Sequence, residues 1–343
     1  MFKLLWTLLV VTMGANAPAP LFPLYLTEYH LNNADLTALI VVYALGVMPT
    51  LLFSGGLADQ IGKKPFVLAA LLVDMGATAL LIWNPGFWGI IVARILQGMS
   101  VGVFMGPGTA LIADQVASYH LESALRWAGA VMMIGFGLGP LWSGLTVQYT
   151  HFMALPYILL EVLLATGFLA IFTVSETLRP ASGSHRIKLG IPAGIRKSFW
   201  LGASPTGFFL FAINGTMLAL IPSYVSHILH SHNLAVAGAM ITLLLGGGGM
   251  AQFTAPANRP SLAIRVGSAL AILGLWITLG AGHWDSFYLL LIGLALTAFG
   301  GGWIFKGGLQ LAGTLAPTRQ RSQVLSTFYL IAYIGMIVPV FAV

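Results

Sequence analysis

Hydrophobic residues run along this chain in long, nearly uninterrupted stretches rather than in the short alternations of a soluble domain. Apolar segments occupy roughly 4–26, 35–57, 65–83, 87–113, 124–149 and 155–175, then roughly 203–226, 234–257, 261–281, 286–314 and 322–343. About 20 apolar residues are enough for a helix to cross the hydrocarbon core of a bilayer, so the pattern predicts about eleven spanning helices. Gly, Pro, Asn or a charged residue separates most neighbours, as expected of turns between spans. The first segment also has features of a cleavable signal peptide: Lys3, an apolar run and Ala15-Asn16-Ala17. Its apolar character continues through Leu21, Phe22, Leu24 and Leu26, so it is expected to stay as the first span.

Composition agrees with a lipid solvent. Of 343 residues, 58% are hydrophobic and 7% are charged, too little polar cover for a soluble exterior. Cysteine is absent, which removes disulfides and thiolate metal sites from consideration. The formal charge of +6 sits in short loops rather than on one face, so nucleic-acid binding is not expected. With the amino terminus inside, Lys3, Lys63, Lys64, Arg126, Arg179, Arg186, Lys188, Arg196, Lys197, Arg259, Arg265, Arg319 and Arg321 all fall on the cytoplasmic side. The opposite loops carry Glu28, Asp35 and Asp285 but no Lys or Arg, a strong positive-inside signal.

The polar stretch from Glu176 to Trp200 divides the chain. It predicts a six-helix bundle over 1–178, a cytoplasmic linker over 179–200 and a second bundle over 201–343, short of its twelfth helix. A shift of 200 positions places Phe87 on Phe287, Gly102 on Gly302 and Gly108 on Gly308, and a shift of 195 places Lys64-Pro65 on Arg259-Pro260. Such matches favour a duplication, as in many transporters. The second half is read as incomplete, from a fragment or truncated frame.

Between the second and third spans stands Gly56-Leu57-Ala58-Asp59-Gln60-Ile61-Gly62-Lys63-Lys64-Pro65. This segment resembles the signature loop of the major facilitator superfamily. Arg94, Gln97 and Gly98 are similar to that family's second motif, R-x-x-Q-G, in the fourth helix. Gly135, Gly139, Pro140 and Gly144 in the fifth resemble the motif of its drug/proton antiporter branch, though Ser143 stands where a glycine is usual. Arg126 and Glu176-Thr177-Leu178 also occupy familiar positions.

The resemblance implies an all-α polytopic fold of two pseudo-symmetric bundles in a bacterial inner membrane. It implies alternating access, with Asp59, Gly62, Lys63, Lys64, Arg94, Asp114 and Arg126 forming a conformational latch and coupling set. Lys63 and Lys64 are expected to pair with acids such as Asp114 and Glu122, and the latch to be one-sided, since Thr254 stands where Asp59 has its counterpart. By helix membership, Asn16, Tyr25, Gln97, Asn214, Trp303, Lys306 and Gln310 are the candidate substrate contacts.

Arg94, Asp74, Glu161 and Lys306 lie within spans, where charge is costly and marks function or a buried partner. Lys306, among glycines of the tenth helix, is read as a cavity cation. Asp74 and Glu161 stay open between proton exchange and a structural role. His227, His230 and His232 lack a neighbouring carboxylate in sequence and are read as a solvated loop, with no metal.

No G-x-x-x-x-G-K-[ST] loop and no catalytic motif is present, so neither ATP coupling nor enzymatic activity is expected. The reading is a cofactor-free, monomeric, proton-coupled exporter of a small organic compound. Its rivals are a proton symporter or uptake carrier for a sugar or organic anion, and a non-transporting sensor.

Overall fold

The computed structural model describes residues 1–83, 86–116, 121–176, 191–230, 233–256, 259–316 and 321–338. Excepted are the side chains of Asn33, Gly55, Gly56, Asp59, Gln60, Leu121, Glu122, Leu125, Leu229, Arg321 and Ser322. Most of the expected linker, His232, Arg179, Arg186, Lys188 and Arg319 therefore lie outside the described residues.

Among those described, the chain is helical. The amino-terminal unit holds α1 (Phe2–Glu28), α2 (Asn33–Ile61), α3 (Lys63–Ile82), α4 (Gly86–Asp114), α5 (Leu121–Thr150) and α6 (Leu155–Phe172). The carboxyl-terminal unit holds α7 (Ser204–Leu229), α8 (Leu234–Ala251), α9 (Pro260–His283), α10 (Phe287–Leu315) and α11 (Arg321–Ile337). Ten helical segments are long and apolar enough to cross a membrane, and the described part of α11 is a shorter apolar helix. Contacts divide the chain into two compact units, Met1–Ile187 and Lys188–Val343.

Side-chain caps start several of these helices. Asn32 caps α2 in a reciprocal box with Asp35, Asn233 accepts from Val236 at the start of α8, and Ser286 accepts from Leu289 at the start of α10.

Three boundaries differ from the sequence expectation. The signature segment is not a loop: α2 continues to Ile61 and α3 begins at Lys63, leaving Gly62 as the joint. Its φ of 113° and ψ of 142° belong to glycine alone, which is why one residue suffices for the reversal. The linker is shorter than 179–200, because Ala193–Ile195 and Arg196–Ala203 already form helical turns leading into α7. Finally, α1 is interrupted. A helix over Phe2–Asn16 gives way to a 3-10 turn at Ala19–Leu21 before Phe22–Glu28 resumes. Pro18, Pro20 and Pro23 have no N–H to give to carbonyls four residues earlier, and their rings crowd the preceding turn.

Within each unit the same helices pair. In the first, α1 packs on α5 and α6, α2 on α4, and α3 on α4 and α6; in the second, α7 packs on α11, α8 on α10 and α9 on α10. Apolar surface gives little drive for association in lipid, so these contacts depend on small residues that let backbones approach. A methyl group at Gly139 of α5 would strike the Met13 carbonyl of α1, and one at Gly335 of α11 would strike the Phe208 carbonyl of α7. These two crossings occupy matching positions in the two units, which supports duplication.

Gly139→Ala should therefore lower the stability of the detergent-solubilised protein by about 1–3 kcal/mol, the usual cost of overpacking. Gly129→Ala, on the same helix with no atom of another helix within 4 Å of the new methyl, should not lower the unfolding temperature.

Candidate functional site

The prolines of α1 create a problem that the neighbouring helices solve. Pro18 cannot donate to the carbonyl of Gly14, and in hydrocarbon an unmet carbonyl costs several kcal/mol with no water to take its place. Gln97 of α4 donates its Nε2 to Gly14 O at 3.3 Å, and Arg94, one turn earlier, donates its Nη1 to Ala15 O at 2.5 Å. Ser143 of α5 donates its Oγ to Ala17 O at 2.5 Å. Three polar side chains from two helices thus cover three carbonyls at one break.

Arg94 is 4% exposed. Its Nη1 also donates to Gln97 Oε1 at 2.9 Å, its Nε lies 3.5 Å from Leu39 O of α2, and its guanidinium stands 4.5 Å over the Tyr43 ring. Such a desolvated cation–π contact contributes about 2 kcal/mol or more. The single guanidinium ties α4 to α1 and α2. Asn16 donates to Phe136 O of α5 at 3.3 Å, and the hydroxyls of Tyr25 and Tyr157 meet at 2.6 Å, joining α1 to α6.

Gly135, Gly139, Pro140 and Gly144 lie on α5. Gly135 and Gly139 face the Thr12 side chain and the Met13 carbonyl of α1. Ser143, the departure from the family pattern, is the residue that caps Ala17.

At the α2–α3 joint, Lys63 pairs with Asp114 at the end of α4, 2.5 Å away, as the sequence suggested. Lys64 takes other partners. Its Nζ donates to Phe172 O at 2.8 Å and Val174 O at 2.7 Å, while its backbone N–H donates to Glu176 Oε2 at 2.9 Å. The joint is thereby fastened to the ends of α4 and α6. Exposed ion pairs of the Lys63–Asp114 kind contribute about 0–1 kcal/mol, so this pair adds little to folding. Arg126 is exposed in the first turns of α5.

In the carboxyl-terminal unit, Lys306 donates to Gln252 O at 2.9 Å and Ala255 O at 2.7 Å, and Trp303 Nε1 donates to Thr254 Oγ1 at 3.0 Å. Both α10 side chains hold the turn after α8, and Lys306 donates to two of its backbone carbonyls. Asn214 and Gln310 are half-buried on α7 and α10.

A feature the sequence reading missed is the aromatic cluster of Phe211, Phe305, Tyr329 and Tyr333, with ring centroids 5.2 to 6.3 Å apart. Another correction concerns His227: its Nε2 lies 3.1 Å from Asp285 Oδ1, a carboxylate brought near by the α9–α10 turn although it is remote in sequence. No metal-binding group of three appears among the described residues.

An apolar cavity of about 270 Å³ lies between α2, α3 and α4, lined by Phe53, Ser54, Phe66, Met99 and Ser100 among others. None of the substrate contacts named from sequence lines it.

A family model described as Major Facilitator Superfamily matches residues 4–339. The chain belongs to the Major Facilitator Superfamily. Among its relatives, the quinolone resistance protein NorA of Staphylococcus aureus is 30% identical over 152 residues, which cover 44% of this chain and 39% of that protein. Citrate exporter 1 of Aspergillus niger is 28% identical over 170 residues, covering 49% of this chain and 31% of that one. Those matches thus span less than half the length of either relative.

The fold is also that of solved family structures. The human organic anion transporter TETRAN superposes with a TM-score of 0.71 at 17% identity, covering 99% of this chain and 92% of that one. The peptide transporter POT in complex with sulfate gives 0.79 at 15% identity, covering 99% and 87%. The chain is accordingly an integral membrane protein of this family.

If Arg94 holds the break in α1, Arg94→Met should destabilise the protein by about 1–3 kcal/mol for each carbonyl left unmet. Ser143→Ala should cost about 1 kcal/mol by the same argument. Thermal unfolding in detergent checks both, and an unchanged Arg94→Met midpoint would refute the clasp.

Proposed function

We propose that the protein is a secondary active transporter that exports a small carboxylate-bearing organic compound in exchange for protons, by alternating access. The observation that carries this reading is similarity to two relatives named for unlike compounds, a quinolone resistance protein and a citrate exporter. Quinolones and citrate differ in size and aromaticity but share the carboxylate. A proton gradient is the energy source that needs no nucleotide-binding loop, and the sequence contains none.

In this reading the amino terminus lies in the cytoplasm, which the distribution of Lys and Arg supports. The α2–α3 joint then faces the cytoplasm, and Asp59, Lys63 and Lys64 act there as the latch. A contact contributes to switching only by the difference in its strength between two states. The weak, exposed Lys63–Asp114 pair suits that role, since it can break at small cost. Arg94 belongs to the fixed frame of the bundle, and the candidate substrate contacts Asn16, Tyr25, Gln97, Asn214, Trp303, Lys306 and Gln310 act with it. The transporter works as a monomer on protons and substrate within the bilayer.

Everted membrane vesicles acidified inside by respiration test the reading, with norfloxacin, citrate and the lipophilic cation ethidium as probes. Norfloxacin or citrate should collapse the pH gradient in vesicles carrying the protein and leave control vesicles unaffected. Asp59→Asn should reduce that response roughly tenfold at unchanged protein level, the scale of a typical coupling free energy. No response to any probe from inserted protein refutes proton-driven export, and a normal response from Asp59→Asn refutes the latch alone.

A further inference from the structure

Asp74 lies near the middle of α3 and is 1% exposed. Neither carboxyl oxygen has a hydrogen-bond partner within the protein. A carboxylate left without a donor in hydrocarbon is among the most costly arrangements in a membrane protein. The strongest donors of the bundle are engaged, since Arg94, Gln97, Ser143 and Asn16 each donate to backbone carbonyls, and Thr78, one turn along α3, is buried with its hydroxyl making no hydrogen bond to Asp74.

The surroundings of Asp74 are specific. Its Oδ2 is 4.0 Å from the point where a side chain at Gly14 would begin, which is the residue whose carbonyl the proline break frees. Leu160 Cδ2 of α6 lies 3.2 Å from that same point. One position beyond Leu160 is Glu161, whose Oε2 is likewise buried without a partner. Glu161 lies on α6, the helix that packs against α3.

Other titratable groups on the elements around α3 are occupied elsewhere. On α4, Arg94 points to α1 and α2, and Asp114 pairs with Lys63 at the helix end. On α6, Tyr157 bonds Tyr25 of α1, while Lys3 of α1 bonds Thr173. On α2, Tyr43 lies under Arg94 and Asp35 is held in its capping box. Among the described residues Glu161 is the other acid with a buried, unpartnered carboxyl oxygen.

We propose that Asp74 is a proton-binding site of the amino-terminal bundle, with Glu161 as its second carboxyl, and that it ties a bound proton to the packing of α1. The step is simple: a carboxylate takes up one proton to become a carboxylic acid, and no other bond changes. A neutral acid fits the dry contact between α1, α3 and α6, whereas the carboxylate needs water or a donor and so favours opening of that contact. The bound proton thereby biases one packing of the interrupted helix over another, as any ligand with unequal affinity for two states does. The inference deepens the proton-coupled reading above and rests on it for its transport consequence, but the protonation itself is separately measurable.

The full chain, labelled with 13C at the aspartate carboxyl groups and reconstituted in lipid vesicles, is followed by infrared spectroscopy as pH changes. The chain has five aspartates, and Asp35, Asp59, Asp114 and Asp285 lie at or near helix ends. An isotope-shifted carboxylic-acid band that appears and vanishes with pH, and that is missing from Asp74→Asn, is the expected result. A spectrum identical in the two proteins overturns the site. Asp74→Glu covers the case in which the amide variant does not accumulate: its acid is unlabelled, so the isotope-shifted component must vanish.

In the same vesicles, norfloxacin uptake driven by a pH gradient should fall at least about tenfold in Asp74→Asn, while gradient-free norfloxacin exchange stays within about twofold. Gradient-driven uptake that survives in Asp74→Asn overturns the coupling role. If the wild type moves no norfloxacin yet shows the titrating band, the export reading fails and the proton site stands.

Discussion

A helix broken by prolines in the middle of a bilayer leaves carbonyls that no water can reach, and the amino-terminal bundle is arranged around that one deficit. Pro18 and Pro20 interrupt α1, and the carbonyls of Gly14, Ala15 and Ala17 are taken up by Gln97, Arg94 and Ser143. Each donor must reach across a helix interface, so α4 and α5 have to lie close to α1. Glycines make that approach feasible: Gly139 sits on the Met13 carbonyl, and Gly98 brings α4 onto the Tyr43 carbonyl of α2. Close packing and polar satisfaction are therefore one constraint. Widening the α1–α5 crossing would also pull Ser143 from Ala17.

The main outline of this arrangement was legible along the chain. Span positions, the two halves and the Lys63–Asp114 pair follow from hydropathy, internal similarity and charge. Other features depended on where side chains point. Lys306 stands among glycines in the sequence, and only the fold brings its ammonium to the carbonyls of Gln252 and Ala255. Ser143 looked like a lapse in a glycine motif until its hydroxyl was found on Ala17. Hydropathy also could not show that α2 runs on to Ile61, because the reversal is concentrated in the backbone of Gly62. Asp285 and His227 are far apart in sequence, and only the fold brings them together.

Comparison of the two halves shows that the buried arginine goes with the broken helix. The shift of 200 that aligns Gly102 with Gly302 also aligns Arg94 with Leu294 and Gln97 with Thr297. In the second half the helix matching α1 is α7, which is helical without interruption from Ser204 to Leu229. The shift of 195 places Ile213 and Gly215 where α1 has Pro18 and Pro20. Leu294 is fully buried, and Thr297 spends its hydroxyl on Gly293 within its own helix.

Pro222 lies inside α7 without breaking it, so no run of carbonyls is freed there as in α1, and an aliphatic side chain packs where α4 has its arginine. A purely topogenic or substrate-binding role for Arg94 would give no reason for this correspondence, whereas capping the proline break does. Asp74 has no such structural account. Its match under the shift of 195 is Ala269, a small apolar residue on α9. Arg94 has carbonyls to satisfy, but nothing in the bundle requires an acid at position 74. A costly group with no structural partner is the one for which a ligand, here the proton, supplies the physical reason.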